Sequence, residues 1–172
     1  MVAMQLTEGG NGEMWMASNT HGVVRIQGSG HSLNGYTLSA YSVVNGKLNS
    51  NYADCIYKDI EGRIWVGTGG SGLSLYDAIE DRFLPVHKLW NLPGDAVTSI
   101  QSDKKGDLWL GTNEDGVCIF NPETQKISAL QYDLMKNSKQ VLSNTIHSIL
   151  FGKNNKVWIG TSNAGLSCYD LS

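Results

Sequence analysis

Apolar residues in this chain come in short strand-length runs set off by glycine, asparagine and aspartate, and no segment sustains the three-to-four spacing of an amphipathic helix. The stretch around residue 109 shows the unit most clearly. Val97-Thr98-Ser99-Ile100 alternates small or polar with apolar positions, and Asp103-Lys104-Lys105-Gly106 has the aspartate-first, glycine-fourth composition of a type I turn. Leu108-Trp109-Leu110-Gly111-Thr112 is apolar on both sides, as expected of a strand packed between two layers. The polar loop Asn113-Glu114-Asp115-Gly116 leads into a third strand, Val117-Cys118-Ile119-Phe120. Beyond the turn at Asn121-Pro122-Glu123 a fourth is expected over Ile127-Ser128-Ala129-Leu130. Gln131 to Gln140 has room for one short helical turn.

The unit recurs. Aligned on Trp15, Trp65, Trp109 and Trp158, each copy has a small turn residue three places earlier (Gly12, Gly62, Gly106, Asn155) and a small residue two places later (Ala17, Gly67, Gly111, Gly160). A hydroxyl follows (Ser18, Thr68, Thr112, Thr161), and seven residues past each tryptophan stands a glycine (Gly22, Gly72, Gly116, Gly165). The tryptophans are 50, 44 and 49 positions apart, the spacing of propeller blades and other repeat arrays. The expected fold is therefore all-β, a β-propeller of about four consecutive four-stranded blades over residues 1–45, 46–90, 91–138 and 139–172, the last lacking its fourth strand. Blades pack face to face, so the four indoles are expected to fill the gaps between neighbours while the repeated glycines let backbones approach. Burying one indole removes on the order of 150–250 Å² from water and contributes, as an upper estimate, roughly 4–6 kcal/mol before chain entropy. Trp90 falls outside the repeat, with a surface role and a packing role equally open.

The phrase "D..G.lWiGT..GGl.ry", carried here by Asp59 to Tyr76 and by Asp103 to Phe120, resembles the two-component regulator propeller repeat of the extracytoplasmic sensor regions of bacterial hybrid histidine kinases. Leu48-Asn49-Ser50-Asn51 and Leu142-Ser143-Asn144 resemble the family's lead into the innermost strand. The first copy departs from the pattern at Met16-Ala17-Ser18 and at Ile26, and the fourth has Gly152 where the turn aspartate should stand. The resemblance implies a periplasmic sensor segment, a glycan-type signal, and a ligand that shifts the geometry between paired propellers to reach a membrane-crossing kinase. With a period near 48, the chain holds about three and a half blades against the four to eight of closed single-chain propellers. It is expected to be part of a larger propeller or to complete a ring by self-association as a homo-oligomer.

Composition narrows the alternatives. A net charge of -3 leaves no basic face, so nucleic acid is not an expected partner. No run approaches the roughly 20 apolar residues of a membrane span, so no membrane contact is expected of this segment, and Met1 to Gln5 lacks a signal-peptide start. Cys55, Cys118 and Cys168 have no metal or CxxC spacing and read as core fillers. His21, His31, His87 and His147 show no ligand spacing, so neither metal nor cofactor is expected. The pairs Asp59 with Glu61 and Asp103 with Asp107 sit in first-to-second-strand turns, where aspartate caps its own backbone.

A binding site is expected where loops of successive blades converge, on the face carrying the second-to-third-strand loops and the leads into the first strands. The candidates are Asn19, His21, Asn113, Glu114 and Asn163 from the former and Tyr52, Asp95 and Asn144 from the latter. Their amide, carboxylate and aromatic groups suit an oligosaccharide or other polyol. The expected function is a non-enzymatic sensing or structural segment with no catalytic residues. Two alternatives stand beside it: a protein-interaction module, and a lyase of the streptogramin type, in which His21 or His147 would serve with a metal.

Overall fold

The computed structural model describes residues 2–10, 12–28, 35–92, 94–131 and 141–171. Each repeat folds as an antiparallel meander whose strands pair in chain order. Blade 1 comprises β1 (Ala3–Glu8), β2 (Met14–Ser18), β3 (Gly22–Gly28) and β4 (Tyr36–Tyr41), and blade 2 comprises β5 (Ala53–Lys58), β6 (Ile64–Thr68), β7 (Gly72–Asp77) and β8 (Arg82–Pro85). The one-turn helix α1 (Val86–Leu89) leads to blade 3, made of β9 (Val97–Ser102), β10 (Leu108–Thr112), β11 (Val117–Phe120) and β12 (Ile127–Leu130). Blade 4 is three-stranded among the described residues: β13 (Ile146–Phe151), β14 (Lys156–Thr161) and β15 (Leu166–Asp170). The helical turn expected within Gln131 to Gln140 lies, from 132 on, outside the described residues.

The first strands lie side by side, β1 against β5, β5 against β9 and β9 against β13, so they line the axis of the arc. Neighbouring first strands are not paired as one sheet, and single side chains make the crossings instead. Gln5 Oε1 accepts from the Ile56 amide at 3.1 Å, Thr98 Oγ1 donates to the Ile146 carbonyl at 2.6 Å, and Ser99 Oγ accepts from the Ile149 amide at 3.2 Å.

Each blade has a forward face toward the next blade and a rear face toward the previous one. Because strand side chains alternate, the tryptophan of a second strand points forward while its two apolar neighbours point back. Trp15 meets Ile56, Ile64, Val66 and Phe83 of blade 2, with its ring centroid 4.7 Å from that of Tyr76. Trp65 joins Ile100, Leu108, Leu110 and Phe120 of blade 3. Trp109 joins Ile149, Val157 and Ile159 of blade 4, edge-on to Phe151 at 5.5 Å. These three indoles are at most 2 % exposed, and the three clusters between blades form the core. Trp158 departs from the expectation: it is 39 % exposed, because among the described residues no sheet lies over the forward face of blade 4. Cys168, its cross-strand partner, is exposed for the same reason, whereas Cys55 and Cys118 are buried as expected. Trp90 takes the packing role, its ring 6.2 Å from Trp65 and 5.0 Å from Phe120.

In blades 2 and 3 the glycine two places past the tryptophan leaves no room for a side chain against the next blade. A Cβ on Gly67 would lie 2.7 Å from Val97 Cγ1, and one on Gly111 would lie 2.7 Å from Ile146 Cγ2. Asp59 behaves as its turn position requires, its Oδ1 accepting from the Glu61 and Arg63 amides, and its buried Oδ2 also accepts from the Trp65 indole at 2.7 Å.

Candidate functional site

The loop face is built from one repeated hairpin lock. The hydroxyl of the repeat turns back on its own hairpin: Thr68, Thr112 and Thr161 Oγ1 donate to the carbonyls of Gly72, Gly116 and Gly165 at 3.1, 2.9 and 2.9 Å. Each of these oxygens also accepts an amide of the loop, those of Ser71, Asp115 and Ala164. The glycine that closes the lock has φ between 66° and 77° in all four blades, the left-handed region where a Cβ is strained. Its amide then reaches across to the next blade: Gly22, Gly72 and Gly116 donate to the carbonyls of Asn51, Asp95 and Asn144 at 2.9, 2.7 and 2.9 Å. Two predicted site residues, Asp95 and Asn144, thus hold the blades together through their backbones. The lead into blade 4 also departs from the expected alignment, since the buried position matching Leu48 and Leu92 is Val141, while Leu142 is exposed.

A second repeated device aims side chains at the axis. Each first strand carries one extra residue near its start, where the register to its second strand shifts: Met4, Asp54, Thr98 and His147 are the inserted positions. A β-bulge redirects the inserted side chain out of the ladder. All four line one cavity of about 540 Å³ together with Gln101 and Asn113. Identical backbone geometry therefore presents a thioether, a carboxylate, a hydroxyl and an imidazole to the same space. Burial pushes the Asp54 carboxyl above the usual carboxylate range. The His147 Nε2 is 2.9 Å from Ser162 Oγ.

Beside it, between blades 2 and 3, lies a cavity of about 400 Å³ rimmed by Asp95, Asn113, Glu114 and Asp115 and floored by His87 and Leu92. Asn113 borders both spaces. The His87 side chain is nearly enclosed, its Nε2 3.4 Å from Asp95 Oδ1 and its buried Nδ1 without a protein partner. Burial holds its pKa below the usual imidazole value, against the opposing pull of Asp95, so the ring is neutral at neutral pH. The carboxylates of Asp54, Asp95, Glu114 and Asp115 make this face acidic, and no lysine or arginine lines either cavity. The opposite face differs in kind. Its cavity of about 500 Å³ is walled by Tyr57, Ile60, Phe151 and Leu171 and rimmed by Lys104, Lys105 and Lys156.

Of the predicted residues, the structure gathers Asp95, Asn113 and Glu114. Asn19, His21, Tyr52, Asn144 and Asn163 border neither cavity. His21 is exposed with its Nδ1 2.6 Å from Thr20 Oγ1, Asn19 has a buried Oδ1 without a protein partner, and Tyr52 acts through its carbonyl, which accepts from the Gly69 amide at 2.9 Å. Asp54, Thr98 and His87 were not among the predicted ligand-binding positions. The bulge leaves no mark in the hydrophobic pattern, and His87 sits in a segment outside the repeat.

The family model "Two component regulator propeller" matches residues 47–70, 91–114 and 140–163. These three stretches, one in each of blades 2, 3 and 4, match that repeat. No curated protein matches it in sequence. An extracellular domain of B. thetaiotaomicron, described as that of a one component system, superposes with a TM-score of 0.71 at 17% identity, covering 97% of this chain and 21% of that one. A second extracellular domain from B. thetaiotaomicron, of a hybrid two component system, gives 0.59 at 18%, covering 96% and 26%. A catalytically inactive virginiamycin B lyase of Staphylococcus aureus with quinupristin gives 0.56 at 15%, covering 98% and 55%. At these identities the likeness is one of fold, and the propeller segment spans about a fifth to a quarter of the two extracellular domains. Among the described residues no helix is long and apolar enough to cross a membrane, and no group of three or more His, Cys, Asp or Glu side chains is placed to hold a metal ion.

Proposed function

We propose that this segment is the ligand-sensing part of a bacterial two-component signalling receptor, facing the periplasm, and that its loop face recognises an oligosaccharide or related polyol without transforming it. The observation that carries this reading is the bulge repeated in all four first strands, which turns Met4, Asp54, Thr98 and His147 into one axial space beside Asp95, Asn113 and Glu114. Constant geometry with changing side chains is what a recognition surface needs, since the scaffold stays fixed while the contacts are chosen one by one. The repeat family and the extracellular domains of similar fold support the setting. The acidic rim favours neutral or amine-bearing sugars over uronates and sulfated glycans by simple charge repulsion.

Thermal shift and calorimetry against neutral, amino and acidic oligosaccharides test it. Saturable stabilisation by members of the first two groups, weakened by Asp54→Asn and Asp95→Asn with the ligand recovered intact, is expected. At a ligand concentration about 100 times Kd the gain is about 2.7 kcal/mol. Binding by none of the three groups would overturn the reading. The lyase alternative rests on the fold likeness to the virginiamycin B lyase and on His147 at a bulge, and metal-dependent change in ligand mass, abolished by His147→Ala, would replace sensing with catalysis.

A further inference from the structure

The face opposite the acidic loops is made by the turns that join first to second strands, and the copies of that turn differ in charge. In blade 1 it runs from Gly9 to Glu13 and carries no cation. Blade 2 neutralises its own turn, Arg63 pairing with Asp59, Glu61 and Glu123 at 2.6, 3.1 and 2.6 Å. Blades 3 and 4 place Lys104, Lys105 and Lys156 at or beside it, and among the described residues none of the three is ion-paired. Asp103, which shares their cavity, has its Oδ1 occupied by the Lys105 and Asp107 amides at 2.8 and 3.1 Å.

The ammonium groups ring the cavity of about 500 Å³, whose apolar walls are fixed in advance. The Tyr57 hydroxyl is 2.8 Å from Ser102 Oγ and accepts from the Ser102 amide at 3.2 Å, Phe151 stands edge-on to Trp109, and the Leu171 amide donates to the Asn155 carbonyl at 2.9 Å. Ile60 is 66 % exposed and reaches across to the turn of blade 3, where a Cβ on Gly106 would lie 3.6 Å from its Cδ1. A turn needs no isoleucine at so exposed a position, whereas a pocket wall does. Preformed apolar walls with a few charges at the mouth are the make-up of a small-molecule site of this size. We propose that this cavity binds a small organic anion with an apolar body, an aryl or branched acyl carboxylate, held by Tyr57, Ile60 and Phe151 with its charge on Lys104 and Lys105. Lys156 contributes less, because Asp170 stands opposite it in the strand register. The site is separate from the loop face and selects the opposite charge.

A methyl-resolved NMR titration of the 172-residue chain with phenylbutyrate should shift the Ile60 and Leu171 methyl resonances saturably. Phenylbutylamine, with the same apolar body and the opposite charge, should leave them in place. Lys104→Gln and Lys105→Gln should each weaken phenylbutyrate binding about two- to fivefold, as expected of exposed charges, and Lys156→Gln less. Higher ionic strength should weaken it too. Ile60→Ser should weaken it with an unchanged circular dichroism spectrum, since the side chain is at the surface. Asp54→Asn and Asp95→Asn should leave it unaltered, which separates this site from the one on the loop face. The absence of a shift at millimolar phenylbutyrate, equal shifts with the amine, or shifts confined to Leu150 and Leu166 would each overturn the proposal. Binding of a hexaglutamate peptide in place of phenylbutyrate would overturn it in favour of an acidic protein partner.

Discussion

Blades 3 and 4 carry the same indole at the same strand position, and their fates differ. Trp109 is closed between sheets, with Phe151 and Tyr169 against its ring, while Trp158 stands at a surface. Local sequence is not the cause, since Leu108-Trp109-Leu110-Gly111-Thr112 and Val157-Trp158-Ile159-Gly160-Thr161 share one pattern. The difference is a neighbour. Burial in a repeat array belongs to the interface between units, and one unit alone cannot supply it.

The largest test of this contrast is truncation of the two indoles. Trp109→Ala should cost about 3–5 kcal/mol in urea unfolding. Trp158→Ala, measured at a concentration where the chain is monomeric, should cost less than about 1 kcal/mol. Equal losses would mean that the forward face of blade 4 is covered within one chain.

Glycines at the hairpin locks give a smaller, similarly paired effect. Gly72 and Gly165 have φ of 66° and 75°, but a Cβ on Gly72 would lie 2.3 Å from the His87 ring whereas one on Gly165 meets nothing within 4 Å. Gly165→Ala should therefore cost only the backbone strain, about 1–2 kcal/mol. Gly72→Ala should cost at least about 1 kcal/mol more by overpacking and should shift the His87 ring resonances in an NMR spectrum.

Removing the locking hydroxyls separates the blades by solvent access. Thr112 is fully buried, so Thr112→Val leaves the Asp115 amide without its partner and should lower stability by about 1–2 kcal/mol. At the half-buried Thr161 water takes over, and Thr161→Val should cost about half that or less.

The smallest expected effect is the pH dependence of His87. Its folded pKa lies below the unfolded one, so as pH falls through the usual imidazole range the unfolded chain takes up a proton that the folded chain does not. Stability contributed by neutral His87 is full above that range and declines below it. Melting temperatures between pH 8 and 5 should fall less steeply for His87→Gln than for the unaltered chain, by an amount equivalent to about 1 kcal/mol or less at the acid end. An unchanged slope would mean that the ring is solvated.

Much of the fold was legible because its determinants are local. The alternation at Val97 to Ile100, the Asp103 to Gly106 turn and the strand ending at Thr112 each register in the chain as period, turn chemistry and glycine placement. The site was legible only in part. Asp95, Asn113 and Glu114 share a cavity because the lead into β9 and the loop after β10 fall on one face, which the repeat predicts. Asp54 and Thr98 escaped notice because a one-residue bulge looks, in sequence, like an ordinary strand. Asn19, His21 and Asn163 have the right residue types on the right face, but they line neither of the two cavities there.

The order of strands, the hairpin locks and the side of each strand that bears apolar residues follow from the amino acids alone, since each depends on neighbours within about one repeat. Which indoles are dry, where the inserted residues of β1, β5, β9 and β13 point, and how the two faces came to be acidic on one side and lysine-rimmed on the other were decided by how the sheets stack. Those properties arise between repeats, where residues some 50 positions apart first meet.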